Sequence, residues 1–221
     1  MRPGARTTEA SGPAPHLMAP AGVAAEGIAQ LLRVGTRDLH DKIEANPHFS
    51  RLMAPDLTRP EYGSLLARIY GHHAAAEAAL AEAAPLLPPG LALEHRLRRT
   101  ALLAHDLAQL GLAQAAIAAL PRCQVAACAT AEEAWGQLYV LEGSALGGQL
   151  IARHLATTLA LGPQTGAGGM VPHGAETGVL WRGFKLALED AADSGTIDSA
   201  HVVTAARRAF ATLDAWVAGM A

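Results

Sequence analysis

Four residues in the N-terminal part of the chain have side chains and spacing suited to binding a metal-bearing anion. Arg33, Arg37, His40 and Glu44 follow one another at intervals of four, three and four residues. In an α-helix such residues share one face, so two cations, an imidazole and a carboxylate form a row. An imidazole can bind a metal through one ring nitrogen while a carboxylate one turn on orients the other, and guanidinium groups pair with the carboxylates of a ligand. The row indicates a site for a dianionic, metal-bearing ligand; a structural histidine on a solvated face is the alternative.

A second unusual segment is LYVLEGSALGGQLIARHL, residues 138–155, which carries Gly143, Gly147 and Gly148 inside a helical apolar pattern. Each interior glycine costs a helix about 0.5–1 kcal/mol relative to alanine. One explanation is that the bare face of Gly143 and Gly147 lets a neighbouring helix approach closely. The other is that a flat ligand lies against the backbone itself. The segment alone leaves both open, but with the charged row it favours a flat, carboxylated, metal-bearing molecule between two helices, a description that fits haem.

Cap and break signals outline the helices that must position these segments. Thr58-Arg59-Pro60-Glu61 and Thr130-Ala131-Glu132-Glu133 are capping boxes. Asn46-Pro47 stops the first helix, and Gly111 has the position of a left-handed cap. The predicted helices cover about 24–45, 58 to the PLLPPG break at 85–90, 93–110, 130–162, 175–192 and 199–217. Without a period-2 strand pattern or an internal repeat, the sequence predicts one all-α domain over residues 25–221.

Composition limits the functions that need consideration. The net charge of −3 and the lack of a basic run argue against nucleic acid and anionic membrane surfaces, and no apolar run reaches the ~18 residues of a membrane span. Residues 1–24 are rich in Pro, Gly, Ser and Thr and are expected to form a flexible tail. They lack the apolar region of a secretory signal, which favours the cytoplasm. Cys123 and Cys128 match no zinc-site spacing and are expected to be reduced thiols, with a disulfide or redox pair as the alternative.

Four segments together resemble the haem oxygenase family. LLRVGTRDLHDKIEANPHF (31–49) resembles its proximal helix, and EYGSLLARIYGHH (61–73) is similar to the helix that follows. LEGSALGGQ (141–149) resembles the distal-helix motif of the bacterial branch, which includes the biliverdin-forming enzymes that accompany bacteriophytochromes. AARRAF (205–210) is similar to the closing helix. The resemblance runs in order from about residue 25 to residue 217, and the combination is more specific than any one segment.

The resemblance implies a fold in which haem lies between the proximal helix and a kinked distal helix. It implies that His40 is the axial iron ligand, with Glu44 beside it, and that the backbone around Gly143, Ser144, Gly147 and Gly148 covers the opposite face. The other haem contacts that it implies are Arg33, Arg37, Lys185 and Arg182 at the propionates and Phe210 and Phe49 at the pocket wall. For the two phenylalanines, an ordinary core position is an equal alternative.

The implied reaction uses haem as cofactor and substrate, O2 as co-substrate, and electrons from a ferredoxin or flavodoxin-type reductase. Its products are biliverdin, Fe2+ and CO, and a bacteriophytochrome is one acceptor of biliverdin that the resemblance suggests. Ser144 departs from the family pattern, because many members carry Asp there to organise distal water. A non-catalytic haem or bilin binder or sensor of the same fold is therefore an alternative. An unrelated helical enzyme, for example a thiaminase-like protein, would leave the row from Arg33 to His40 unexplained.

Overall fold

Helices account for most of residues 27–219, the part of the chain that the computed structural model describes. The α-helices are α1 Ile28–Gly35, α2 Arg37–Ala45, α3 Pro47–Arg51, α4 Arg59–Glu82, α5 Leu93–Arg96, α6 Arg99–Gln109, α7 Gln114–Ala118, α8 Ala131–Thr158, α9 Thr177–Asp193 and α10 Ser199–Ala218. Short 3-10 turns lie at Ala84–Leu86, Pro89–Leu91, Gly168–Met170 and Gly174–Glu176. These residues include no β-strand, which confirms the predicted all-α fold. The predicted tail, residues 1–24, lies outside the described residues.

Most of the predicted cap signals form the expected contacts at the ends of the helices. Thr58 and Glu61 form the complete capping box of α4, and Asn46 caps α3 by accepting a hydrogen bond from the amide of His48. At the start of α8 only half of the box forms. Thr130 accepts from the amide of Glu133, whereas the Glu133 carboxylate accepts from the amide of Ala129. Gly111 has φ +97°, the left-handed conformation expected after α6.

Two predicted helices are each broken in the structure. The first is interrupted at Thr36, whose backbone has φ −115° and ψ 0° and whose hydroxyl donates to the Leu32 carbonyl oxygen at 2.7 Å. Such a side-chain bond competes with the regular backbone pattern. The third is interrupted between α5 and α6. The prediction of one continuous helix over 24–45 is therefore wrong, and Arg33 and Arg37 belong to different helices.

Helices α8 and α10 form the centre of the molecule. They pack together along much of their length, and α10 also contacts α1, α2 and α4. Gly136 permits the closest approach, because a Cβ there would lie 2.6 Å from the Ala205 Cβ and from the Ala206 amide nitrogen. Buried side chains such as Trp135, Phe184, Tyr62, Leu103 and Leu155 fill two adjoining apolar clusters around this pair. Within residues 27–219, none of the helices combines the length and apolar character that a bilayer crossing requires.

Candidate functional site

His40 presents its imidazole on the exposed face of α2. The side chain is 56% exposed, and its Nδ1 lies 3.7 Å from the Glu44 carboxylate one turn on. The ring also meets the edge of Phe210 of α10, with the two ring centroids 6.1 Å apart. A carboxylate at Nδ1 and an aromatic ring against the imidazole limit its orientation, which is what a metal-binding histidine requires.

Helix α10 holds α2 at both ends. Arg207 donates from two nitrogens to the Asp38 carboxylate, at 2.6 and 2.8 Å, and also donates to the Gly35 carbonyl oxygen. Further along, Asp214 of α10 receives a 2.8 Å ion pair from Lys42 and a 3.1 Å hydrogen bond from Asn46. The bond from Lys42 is the main reason that the pKa of Asp214 is lowered. These contacts fix the helix that carries His40.

The basic residues assigned to the ligand's carboxylates are distributed over three helices. Lys185 Nζ of α9 lies 5.8 Å from the centroid of the Trp181 ring, and Trp181 pairs with Tyr139 at a centroid distance of 5.8 Å. Burial raises the pKa of the Tyr139 phenol, and the Thr36 side chain and the Arg33 charge oppose that shift.

The other two cations are exposed. Arg37 is highly exposed and its Nε lies 3.8 Å from the Asp41 carboxylate. Arg182 is exposed on α9. The structure therefore places Lys185 beside Trp181 and leaves Arg33, Arg37 and Arg182 exposed on three different helices.

The glycines of α8 fall into two groups. A Cβ at Gly143 or Gly147 would meet no atom within 4 Å, whereas a Cβ at Gly148 would overlap the Met170 carbonyl oxygen. Residues 136, 143 and 147 lie within about 40° of one another around the helix. One face of α8 is thus covered by α10 at Gly136 and is open at Gly143 and Gly147, while α8 stays helical throughout. Close packing explains Gly136 and Gly148 but not the open pair.

A buried polar cluster behind α8 was not found by sequence reasoning. Arg99 of α6 donates to the Ser144 hydroxyl, and Arg96 pairs with Glu142 at 2.8 Å, with both side chains almost fully buried. Glu77 of α4 accepts from the amides of Arg99 and Thr100 at 2.8 and 3.1 Å. The contacts join α4, α5, α6 and α8, so no local spacing in the sequence reveals them.

His72 and His73 also differ from the sequence expectation. Their adjacency predicts one core-facing and one solvent-facing ring, but both are buried. The prediction is wrong because residues 69–73 of α4 are all buried, on every face of the helix. Burial lowers the pKa of His72 to about 4 and that of His73 well below 6.5, so both rings are neutral near pH 7.

The two phenylalanines and the two cysteines lie in ordinary packing environments. Phe210 belongs to the core cluster around Trp135, and its ring also contacts His40. Phe49 is half-buried against the cluster around Tyr62. Cys123 and Cys128 are free thiols, as predicted.

These residues fit a haem. An oriented imidazole, cations on neighbouring helices and a helix face kept bare of side chains are the features that an iron, two propionates and a flat ring require. Added side chains would fill the open space at Gly143 and Gly147, so the bareness matches a flat ligand.

Comparisons with known proteins agree with this fit. The family model for heme oxygenase matches residues 26–218. NO- and CO-bound heme oxygenase from Neisseria meningitidis is 26% identical, with 87% of this chain and 91% of that chain covered and a TM-score of 0.67. The heme oxygenase structure from Leptospira interrogans is 20% identical, with 88% and 100% covered and a TM-score of 0.67. Heme oxygenase-1 from Synechocystis in complex with heme is 18% identical, with 86% and 90% covered and a TM-score of 0.63. No curated protein sequence matches the chain. The match over nearly all of the described residues shows that the chain belongs to the heme oxygenase family.

Proposed function

We propose that this protein is a catalytic haem oxygenase that uses O2 and an electron donor to convert haem to biliverdin, Fe2+ and CO. Family membership supports haem degradation in general. The proposed reaction rests on the open strip of α8 at Gly143 and Gly147, where packing gives no reason for the lack of side chains. Each interior glycine lowers the stability of the helix, and a ligand in contact with the exposed backbone explains why glycine is present.

His40 and Glu44 form the proximal side in this proposal. When bound, haem supplies the redox-active iron and the carbon that is oxidised. His40 would hold the iron through a neutral imidazole, and Glu44 and Phe210 would fix the ring direction. A neutral imidazole lacks the electron push by which a thiolate ligand favours O–O cleavage, so it suits chemistry in which the porphyrin itself is attacked.

The remaining residues would seat the ring and keep its other face clear. Arg33 and Lys185 would share the propionates, with Lys185 held beside the Trp181 ring. Arg37 and Arg182 would add to the positive potential at the rim, and Phe49 and Phe210 would supply apolar wall. Gly143, Ser144, Gly147 and Gly148 would form the distal surface, with Gly148 contributing through its packing on Met170.

Two partners complete the proposal. The reaction needs a reductant that delivers single electrons, and a ferredoxin or flavodoxin-type donor has this property. A bacteriophytochrome is the proposed acceptor of biliverdin; this part rests only on the likeness of LEGSALGGQ to the bacterial distal motif.

Replacement of His40 tests the ligation directly. We expect purified protein to bind haem one to one and to convert it to biliverdin with ascorbate. His40→Ala should lose the optical and resonance signature of a histidine ligand and regain it with added imidazole. His105→Ala is the matched control, because His105 is exposed on α6 and its Nε2 is hydrogen-bonded to the Gln109 side chain. An unchanged spectrum in His40→Ala would refute the assignment.

Ser144 supports one alternative, a non-catalytic haem or bilin binder of the same fold. Its hydroxyl stands where many family members have a carboxylate that organises distal water. The alternative forecasts haem bound through His40 that stays intact with O2 and either ascorbate or a ferredoxin donor. Release of biliverdin and CO under those conditions would exclude it.

A further inference from the structure

Arg99 carries a buried positive charge whose counter-charges are engaged elsewhere. The residue is 7% exposed, and in the described part of the chain its guanidinium forms no ion pair with a carboxylate. Glu77 is occupied by two backbone amides of α6, and Glu142 is occupied by Arg96. The contacts of the Arg99 guanidinium are Ser144 and, at 3.4 Å, the Nε2 of His73, while its Nε has no partner.

Such an arrangement costs stability. Removing a guanidinium from water is expensive, and a carboxylate in direct contact normally offsets the cost. Burial lowers the pKa of Arg99 to about 10, which still leaves the group charged near neutral pH. The charge therefore stays in the interior without a paired anion among the residues around it.

Ser144 connects the Arg99 charge to the flank of the open face of α8. Ser144 lies one residue beyond Gly143, on the flank of α8 between the open face and the face packed against Met170. Its hydroxyl accepts from Arg99 Nη1 and donates to the Leu141 carbonyl oxygen at 2.7 Å. A hydroxyl that accepts from a cation becomes a stronger donor, and it can rotate to another acceptor.

A small cavity lies within the buried polar cluster that contains Arg99. A cavity of about 10 Å³, the size of a single water molecule, is lined by His73, Arg96, Arg99, Glu142 and His173. The Nδ1 of His73 is also buried without a partner. The cavity combines these polar groups with apolar neighbours such as Leu138 and Leu141, so the buried Arg99 charge is weakly screened there.

We propose that Arg99, acting through the Ser144 hydroxyl, supplies the hydrogen-bond donor and the positive field for an anionic ligand on the open strip of α8. The proposal rests on haem binding at this strip, as in the proposed function. Arg99 is a positioning residue, and Ser144 is the group that touches the ligand. The pair takes the place of the acidic side chain that many family members have at this position, and it donates where a carboxylate would accept.

The test uses azide as an anionic probe of the ferric haem complex. Ser144→Ala and Arg99→Met should each weaken azide affinity about tenfold, the usual effect of losing one charge-assisted hydrogen bond. Because the two residues act in series, the double variant should be no weaker than the weaker single variant. Ser144→Thr and Arg99→Lys, which keep the hydroxyl and the charge, should restore most of the affinity. Ser64→Ala, at an exposed serine on α4, is the control.

A second ligand and a stability measurement separate this role from simple packing. Carbon monoxide is neutral and a weak acceptor, so its affinity for the ferrous complex should change much less than that of azide. Unchanged azide affinity in Ser144→Ala, or additive losses in the double variant, would overturn the proposal. A lower apo-protein Tm in Arg99→Met with unchanged azide affinity would also overturn it. If Arg99→Met does not fold, Ser144→Ala still decides, because it keeps the buried Arg99 charge and the Arg96–Glu142 ion pair.

Failure of the proposed function has a different signature. Wild-type protein that binds no haem would end both proposals. Wild-type protein that binds haem without degrading it would end only the catalytic one, and the azide series would still decide the role of Arg99.

Discussion

Adjacent glycines on α8 should respond in opposite ways to added side chains. Gly147→Ala places a methyl group where no atom lies within 4 Å, so only helix propensity changes, a gain of about 0.5–1 kcal/mol. Gly148→Ala has the same propensity gain, but its methyl overlaps the Met170 carbonyl oxygen. That oxygen belongs to the backbone of a packed 3-10 turn and cannot rotate away, so overpacking should cost about 1–3 kcal/mol.

These free energies predict clear shifts in melting temperature. For a domain of this size, 1 kcal/mol corresponds to about 2–4 °C. The Tm of haem-free Gly147→Ala should therefore rise by about 1–4 °C. That of Gly148→Ala should fall by up to about 8 °C, the shift for a net cost of about 2 kcal/mol. Far-UV circular dichroism at 222 nm measures both on the same helix.

Haem turnover should show the opposite order, because a larger side chain at Gly147 should be more harmful than Gly148→Ala. Gly147→Leu, and equally Gly143→Leu, should keep the stability of the apo protein yet abolish biliverdin formation with ascorbate, because the side chain fills the open strip. Gly148→Ala should retain more turnover per bound haem than Gly147→Leu does, because its methyl group meets Met170 and not the open strip. A Gly147→Leu protein that melts well below wild type and still turns haem over would refute the reasoning, since the open strip would then serve a helix neighbour.

Two further predictions concern the rim and the buried imidazoles. Arg33→Glu should weaken haem binding more than Arg37→Glu does, because Arg37 already lies 3.8 Å from the Asp41 carboxylate whereas Arg33 has no ion pair among the described residues; equal effects, or an equal effect of the exposed control Arg153→Glu in a haem titration, would contradict this. Burial lowers the pKa of His72 to about 4, so unfolded chains bind more protons than folded ones below about pH 6.5, and stability should be lost as the pH falls from 6.5 to 4. Urea unfolding at pH 7 and pH 4.5 measures this loss of unfolding free energy. His72→Leu should reduce the loss by up to about 3 kcal/mol. An unchanged pH dependence would show that His72 does not titrate as stated.

Much of the secondary structure follows from short-range signals in the sequence. The capping box at Thr58, the break at Asn46-Pro47 and the left-handed Gly111 act within four residues, so their effects could be predicted without tertiary contacts. The interruption at Thr36 was missed because helical apolar spacing continues across it, while the buried hydroxyl bonds to Leu32 only in the folded context.

The candidate site was predicted in part for the same reason. Spacing placed Glu44 one turn from His40, and the structure has that contact at 3.7 Å. Spacing also placed Arg33 and Arg37 in one row, but the break at Thr36 puts them on separate helices.

By itself, the sequence determined an all-α chain with a histidine and carboxylate pair on one helix and a glycine-rich stretch in another. Those properties depend on residue type and helical period. Only the tertiary structure decided that Gly143 and Gly147 face open space while Gly148 packs on Met170. It alone also decided that Arg99 reaches Ser144 across 45 residues of sequence. Contacts of this kind depend on how separate helices pack, and one charge or one glycine has the same local propensity whichever neighbour the fold brings to it.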